Sequence, residues 1–478
     1  MLWRLIYDED LAAATYLIGC QKTGEAIVFD PERDVDRYVD LAKSHGLRIT
    51  AVAETHIHAD FLSGARELAE LVGAHVFVSG LGGADWQSRW VGPYPHTILK
   101  DGDLFKVGNI HFKAVHTPGH TPEHLVYLVE DRGGGANEPM GVITGDFMFV
   151  GDLGRPDLLE SAAGLAGVAD GFAHDLYRST KGFMRLPDHL QIWPAHGAGS
   201  ACGKALGAVP QTTLGYERRF SPMLRLLEDE GAFVRTILEG QPEPPVYFAR
   251  MKAWNRDGVP LLRKVPTPRK LAAGEIAGVL AKGVVPIDVR AQPAFVGKHL
   301  PGSLWSRPGP AFLMAVGSYG EPSESFLLVC EAPEVDRLVR NLVRIGLDQV
   351  TGWVDAQTLE QHFAAGGAHE SIPEISVDEL ARRLDAAPGL PLLDVRRASE
   401  HQAGRIAGAV NVAHTRLLPR LAEVPTEEPL YVHCQSGQRS TIAAAALQRR
   451  GRRVVNVAGG YLAWAKGPGS RATATSKA

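Results

Sequence analysis

Ile49-Thr50-Ala51-Val52-Ala53-Glu54-Thr55-His56-Ile57-His58-Ala59-Asp60-Phe61 decides how the first half of this chain folds. Its apolar start predicts a short buried strand. Two imidazoles and a carboxylate then follow at the strand's end, where a loop can aim them into a cleft. A lone His-x-His is equally compatible with a surface or structural pair. Three further segments change that balance: His116-Thr117-Pro118-Gly119-His120, Thr144-Gly145-Asp146 and Trp193-Pro194-Ala195-His196, each behind a strand-like run. Histidines and carboxylates recurring at strand ends in this order point to a metal cleft assembled from distant parts of the chain.

Outward from this stretch, short β-branched runs recur at Ala26–Phe29, His75–Val78, Ile110–Val115, Leu125–Val129 and Val142–Thr144, with helical segments between them. That alternation predicts an α/β sandwich. The Gly133–Gly135 tract reads as a hairpin loop, not a phosphate cradle. Pro242, Pro244, Pro245, Pro266 and Pro268 mark an extended linker region. Beyond it an internal repeat of roughly a hundred residues emerges, too long for a solenoid unit. Val285-Pro286-Ile287-Asp288-Val289-Arg290 matches Pro391-Leu392-Leu393-Asp394-Val395-Arg396, and Leu327-Leu328-Val329-Cys330 matches Leu430-Tyr431-Val432-His433-Cys434. Two copies of one small α/β domain are expected. The resulting domains are 1–245, a linker at 246–265, copies at 266–366 and 372–467, and a disordered tail at 468–478.

With 478 residues the chain exceeds one core, at roughly 100–200 residues per domain. A net charge of -4 with dispersed basic residues gives no reason to expect nucleic acid or a membrane surface as partner. Four cysteines, Cys20, Cys202, Cys330 and Cys434, are too few for a disulfide framework. With neither a signal-peptide core nor an apolar run of about 20 residues, a cytoplasmic location is expected.

In the second copy, Cys434-Gln435-Ser436-Gly437-Gln438-Arg439 follows a strand and precedes an alanine-rich helix. A cysteine there meets the loop's N–H groups and the helix's positive end, both of which favour a thiolate. Gly437 permits a positive φ, and Arg439 adds fixed positive charge. Asp394 is expected to brace Arg439. The first copy instead reads Cys330-Glu331-Ala332-Pro333-Glu334-Val335-Asp336. Its acids should raise the thiol's pKa and repel anions. That domain is read as degenerate, a spacer or docking element.

The four metal segments resemble the metallo-β-lactamase superfamily over the first half of the chain. Its two-zinc hydrolases, such as glyoxalase II, carry a histidine directly after the Asp of His-x-His-x-Asp. Here Phe61 stands there and cannot donate a lone pair, which leaves Asp60 and His196 a poor pair for a second metal. The resemblance is specifically to the persulfide dioxygenases, and it implies one Fe(II) per chain on His56, His120 and Asp146, with His58 orienting a ligand or bound water. Redox-inert zinc cannot activate dioxygen, whereas an open two-His, one-carboxylate face suits iron. The segment Gly151-Asp152-Leu153-Gly154-Arg155-Pro156-Asp157 extends the likeness. Arg155 could pair a substrate carboxylate, or form a loop clamp with Asp157. Cys202 is a candidate persulfide acceptor or a small buried residue. His111, His116, His124 and Cys20 are assigned structural roles.

Cys-x-x-Gly-x-Arg in its setting resembles the rhodanese active loop, with Cys434 and Arg439 as catalytic residues. The fold class implied is α/β multidomain, a metallo-β-lactamase αββα sandwich followed by two rhodanese-like domains. The activity implied is oxidation of a small thiol persulfide by O2 to sulfite, with sulfur transfer giving thiosulfate in sulfide detoxification. A homo-oligomer is expected. Two competitors stand beside this: a thioester hydrolase of the glyoxalase II class, and a non-enzymatic sulfur carrier built on the rhodanese pair.

Overall fold

The structure is a computed structural model and describes residues 1–158, 167–241 and 243–467. The predicted tail at 468–478 therefore lies outside the described residues, as does Pro242. The chain divides into two compact units, one formed by Met1–Val265 with Val343–Gly346 and the other by the rest.

The first unit is built on two six-stranded sheets. One runs β1 (Leu2–Asp8), β2 (Ala13–Cys20), β3 (Glu25–Phe29), β4 (Arg48–Ala53), β5 (His75–Ser79) and β6 (His96–Leu99), in that order. The other contains β7 (Leu104–Val107), β8 (Ile110–His116), β9 (Leu125–Asp131), β10 (Gly141–Gly145), β11 (Gln191–Pro194) and β12 (Thr212–Thr213), also in sequence order. Period-two alternation decides what each strand faces. Ile27 and Phe29 join Ile18, Ala51, Phe112, Tyr127 and Trp193 in a core shared by both sheets. Ala26 and Val28 instead pack with Tyr38, Ala42 and Leu68 of the helices Asp36–Ser44 and Ala65–Val72. The second sheet's other face is covered by the helices Ala169–Phe183 and Glu230–Leu238. This is the αββα arrangement. The glycine tract forms the turn between the antiparallel β9 and β10, as expected.

The 246–265 stretch departs from the extended linker. Phe248–Asp257 is a helix whose buried residues Phe248, Met251 and Asn255 share one face. The prolines lie before and after that face, where they do not interrupt its hydrogen bonds. Asn255 ties the helix to the metal loop. Its Nδ2 donates to the carbonyls of His58 (2.8 Å) and Phe61 (2.7 Å), and its Oδ1 accepts from the Ser63 N–H (2.8 Å). Asn255→Ala leaves three buried backbone groups unpaired and is expected to destabilise the first unit by about 3 kcal/mol. A urea titration checks this; a loss below about 1 kcal/mol would mean that water replaces the carboxamide.

In the second unit the repeat is visible in the pairing. β13 (Val285–Asp288), β14 (Leu304–Trp305), β15 (Phe326–Val329) and β16 (Val350–Val354) form a sheet of order β14-β13-β15-β16. β17 (Glu374–Ile375), β18 (Leu392–Asp394), β19 (Val410–Asn411), β20 (Leu430–His433) and β21 (Val454–Val457) repeat that order, with β17 added beyond β21. Asp288 holds Arg290 through the same Nε and Nη2 contacts by which Asp394 holds Arg396. Among the described residues no helix is long and apolar enough to cross a membrane.

Candidate functional site

The turn after β4 carries His56, the loop after β8 carries His120, and the end of β10 carries Asp146. Their donor atoms lie within 4.8 Å of one another, and all three residues are buried. Second partners fix both imidazoles. His120 Nδ1 lies 3.0 Å from the Arg155 carbonyl, which can only accept, so the proton is on Nδ1. His56 Nδ1 faces Thr55 Oγ1 at 2.9 Å, and that hydroxyl donates to Asp30 Oδ2 at 2.9 Å. Thr55 therefore accepts from His56, and each ring turns an Nε2 lone pair toward the Asp146 carboxylate. Asp146 Oδ2 is 3.4 Å from His120 Nε2 and 3.9 Å from His56 Nε2. Burial, then crowding by neighbouring imidazoles, holds His56 well below the usual histidine range; burial also lowers His120. Neutral imidazoles are the ligand form. Among the described residues no N–H or O–H group donates to either Asp146 carboxylate oxygen, while the Cys202 thiol lies close enough to do so. A buried acceptor set with no proton between its members is costly unless a cation fills it, so these residues fit a metal ion.

Asp60, His196 and Cys202 make a second buried group on the other side of Asp146. His196 Nδ1 bonds the Ala12 carbonyl (3.0 Å), and its Nε2 sits 3.3 Å from Asp60 Oδ2 and 3.4 Å from Asp146 Oδ1. A proton on His196 Nε2 or a second cation would satisfy the same acceptors. Asp60 and His196 are thus not an isolated pair, because the glycine-rich loop delivers Cys202 beside them. Burial, reinforced by Asp146 and Asp60, pushes the Cys202 thiol well up. Phe61 is 2% exposed, with its ring 4.4 Å from that of His58.

His58 keeps one ring nitrogen, Nδ1, buried and, among the described residues, without a hydrogen-bond partner. Its Nε2 bonds Glu54 (3.0 Å) and Asp30 (3.2 Å), while its ring packs 4.3 Å from that of His56. Arg155 resolves toward the clamp. Its Nε and Nη2 donate to Asp157 (2.9 and 2.5 Å) and its Nη1 to the Ala201 carbonyl (3.0 Å), with the residue 0% exposed. The edge that would grip a substrate carboxylate is taken, and Arg155 acts through its own carbonyl on His120. Gly154 is required there, because a Cβ would lie 1.7 Å from the Asp146 carbonyl oxygen. His124 is structural but close to the site, its Nε2 accepting the Asp146 N–H at 3.2 Å. His116 bonds the Pro122 carbonyl, and Cys20 Sγ accepts the Asn109 N–H, as structural residues do.

Cys434 follows β20 and is 1% exposed. Its Sγ accepts from the Gly437 N–H at 3.1 Å; the Ser440 Oγ lies 3.6 Å away and its hydroxyl donates to the Gly437 carbonyl at 3.0 Å. Gly437, at φ +110°, caps the helix Gln438–Gln448, a conformation that favours glycine. Gln435 Oε1 accepts from Arg396, while Ser436 and Gln438 are exposed. Asp394 does not brace Arg439. It is engaged by Arg396 and His401, and Glu400 takes Arg439 in a two-pronged pair at 2.6 and 2.7 Å. In the first copy Cys330 is pushed up to about 12, by burial first and then by Glu334 and Glu331.

Residues 9–196 match the metallo-beta-lactamase superfamily, and residues 376–467 match the rhodanese-like domain. A crystal structure of a metallo-beta-lactamase from Staphylococcus aureus subsp. aureus COL shares 37% identity, covering 74% of this chain and 98% of that one, with a TM-score of 0.66. The chain belongs to the metallo-β-lactamase superfamily. The mitochondrial persulfide dioxygenase ETHE1 of Bos taurus is 28% identical over 239 residues, covering 50% of this chain and 80% of that protein. Its Homo sapiens counterpart is 28% identical over 199 residues, covering 41% of this chain and 68% of that protein. The likeness is to a persulfide dioxygenase joined to a C-terminal rhodanese-like domain.

Several residues of this metallo-β-lactamase site escaped the sequence reading. Glu123 accepts the Ile57 N–H (2.9 Å) between the two histidines of the His-x-His turn. Asp30, with φ +50°, also anchors the Thr55 N–H at 2.7 Å. The one available signal was Asp30's position directly behind β3. Asn255 showed only the spacing of a helical face, with nothing to name its remote partners; at the Cys434 loop, Glu400 gave no signal within an ordinary helix.

Proposed function

We propose that this chain oxidises the terminal sulfur of a low-molecular-weight thiol persulfide with dioxygen at one ferrous ion, and that Cys434 moves sulfane sulfur to sulfite. What carries this reading is the buried, proton-free meeting of the His56 and His120 Nε2 atoms with the Asp146 carboxylate. Fe(II) held there supplies the redox chemistry that dioxygen needs and zinc lacks. The chain's own residues do the rest. Asp30 and Thr55 lock the His56 tautomer, and the Arg155 carbonyl locks that of His120. The Asp157 clamp holds the Arg155 loop in place. Cys202, buried beside Asp60 and His196, is the thiol nearest this centre that could accept sulfur. In balance, R–S–SH with O2 and water becomes R–SH and sulfite, with release of protons.

At the second centre the Gly437 N–H donates to the Cys434 sulfur and would stabilise negative charge on it. Sulfite attacks the outer sulfur of the Cys434 persulfide; the S–S bond breaks, thiosulfate leaves, and the cysteine keeps its electron pair. Arg439, fixed by Glu400, draws the anion in. The first repeat copy is a degenerate rhodanese-like domain. Site roles for His56, His120, Asp146, Cys434 and Arg439 follow this scheme.

A two-metal thioester hydrolase is favoured by one observation, the Asp60–His196–Cys202 group. An oxygen electrode separates the readings. Iron-loaded protein given glutathione persulfide should consume dioxygen and yield sulfite or thiosulfate; no uptake, with hydrolysis of a glutathione thioester instead, overturns the dioxygenase reading.

A further inference from the structure

We infer that the first repeat copy acts as a support that sets the active loop of the second, and that Gln292 is the positioning residue through which it does so. This rests on the reading of Cys434 as the sulfur-carrying thiol. Gln292 opens the helix Gln292–Gly297 of the first copy. Its Nε2 donates to Thr441 Oγ1 at 2.8 Å and to the Gly437 carbonyl at 3.3 Å. Thr441 Oγ1 in turn donates to the same carbonyl at 2.9 Å and receives Asn456 Nδ2 at 3.3 Å. Gly437 is the residue whose N–H meets Cys434 Sγ at 3.1 Å. The Gly437 carbonyl also receives the Ser440 hydroxyl at 3.0 Å and the Thr441 N–H at 3.2 Å, so Gln292 adds a grip from the first copy to those the second copy supplies itself.

The helix Gln438–Gln448, which Gly437 opens, is held at its other end. Arg449, its C-cap, pairs with Glu324 of the first copy. Tyr319, also of the first copy, donates to the His414 carbonyl at 2.6 Å. Within the repeat, position 292 is matched by Ala398, the first residue of the helix Ala398–Ala403. The amide donor is therefore a feature of the copy that lacks a working loop. A domain serving only as a spacer has no need to place a polar head on its neighbour's sulfur loop.

The test uses the full chain with thiosulfate as sulfur donor and cyanide as acceptor, and in parallel the rate at which iodoacetamide alkylates Cys434, read by peptide mass spectrometry. Gln292→Met keeps length and loses the N–H; Gln292→Glu keeps length and sets a carboxylate against the Gly437 carbonyl. Gln292→Met should lower kcat and the alkylation rate about three- to tenfold, with KM for thiosulfate moving less than about twofold. Gln292→Glu should be worse than Gln292→Met, at an unchanged thermal midpoint. Both variants within about twofold of wild type, or a loss that merely follows a lowered thermal midpoint, overturns the inference. If the wild type moves no sulfur, the rhodanese reading fails, and the alkylation rates still decide whether Gln292 sets the loop.

Discussion

Asp146→Ala is expected to abolish oxygen uptake with glutathione persulfide, by at least about 100-fold, because loss even of groups outside the ligand set costs about 10–100-fold at metal sites. Asp146 is the one anionic donor facing both the His56 and His120 Nε2 atoms, and it is fully buried. Without it two neutral imidazoles must hold a divalent ion alone. The local backbone should survive, since the His124 contact is made to the Asp146 N–H and not to its side chain. Asp146→Asn is the sharper companion, keeping the shape while removing the charge. Both are read with an oxygen electrode alongside iron content. Uptake above about a tenth of wild type in either variant would place the ligands elsewhere.

Cys434→Ser should leave oxygen uptake within about twofold of wild type, remove thiosulfate from the products and let sulfite accumulate. The hydroxyl fits under the Gly437 N–H and the Ser440 hydroxyl, so the loop keeps its shape. An alcohol cannot carry sulfane sulfur at neutral pH, however, whereas a thiolate attacks it readily. Chromatographic quantitation of sulfite and thiosulfate after a fixed oxygen uptake checks the split. Unchanged thiosulfate would move the transfer step to another thiol, with Cys202 the first to examine; Cys330, held up to about 12, is a poor nucleophile.

Much of this was legible because the decisive chemistry is local. His56, His120, Asp146 and His196 each follow a strand, and strands with period-two alternation declare themselves in sequence. The Cys434 loop was equally plain, since its cysteine, glycine and helix start are contiguous. What stayed hidden depends on long-range partners. The sequence leaves Arg155 open between gripping a substrate carboxylate and clamping Asp157, and only the structure puts its donors on Asp157 and the Ala201 carbonyl. Asp394 and Glu400 were equally available to Arg439, and only the geometry of the helix Ala398–Ala403 assigns Glu400 to it. The 246–265 helix was masked by its flanking prolines, although Phe248, Met251 and Asn255 already had the spacing of one helical face. Cys202 joined Asp60 and His196 through loop closure, which no local pattern encodes.

Metal analysis of chain purified without oxygen tests the central claim most directly. One iron per chain, lost together with oxygen uptake in Asp146→Ala and kept in Cys434→Ser, is the result expected. A zinc pair shared between the His56–His120–Asp146 and Asp60–His196–Cys202 groups, with no response to dioxygen, would contradict it.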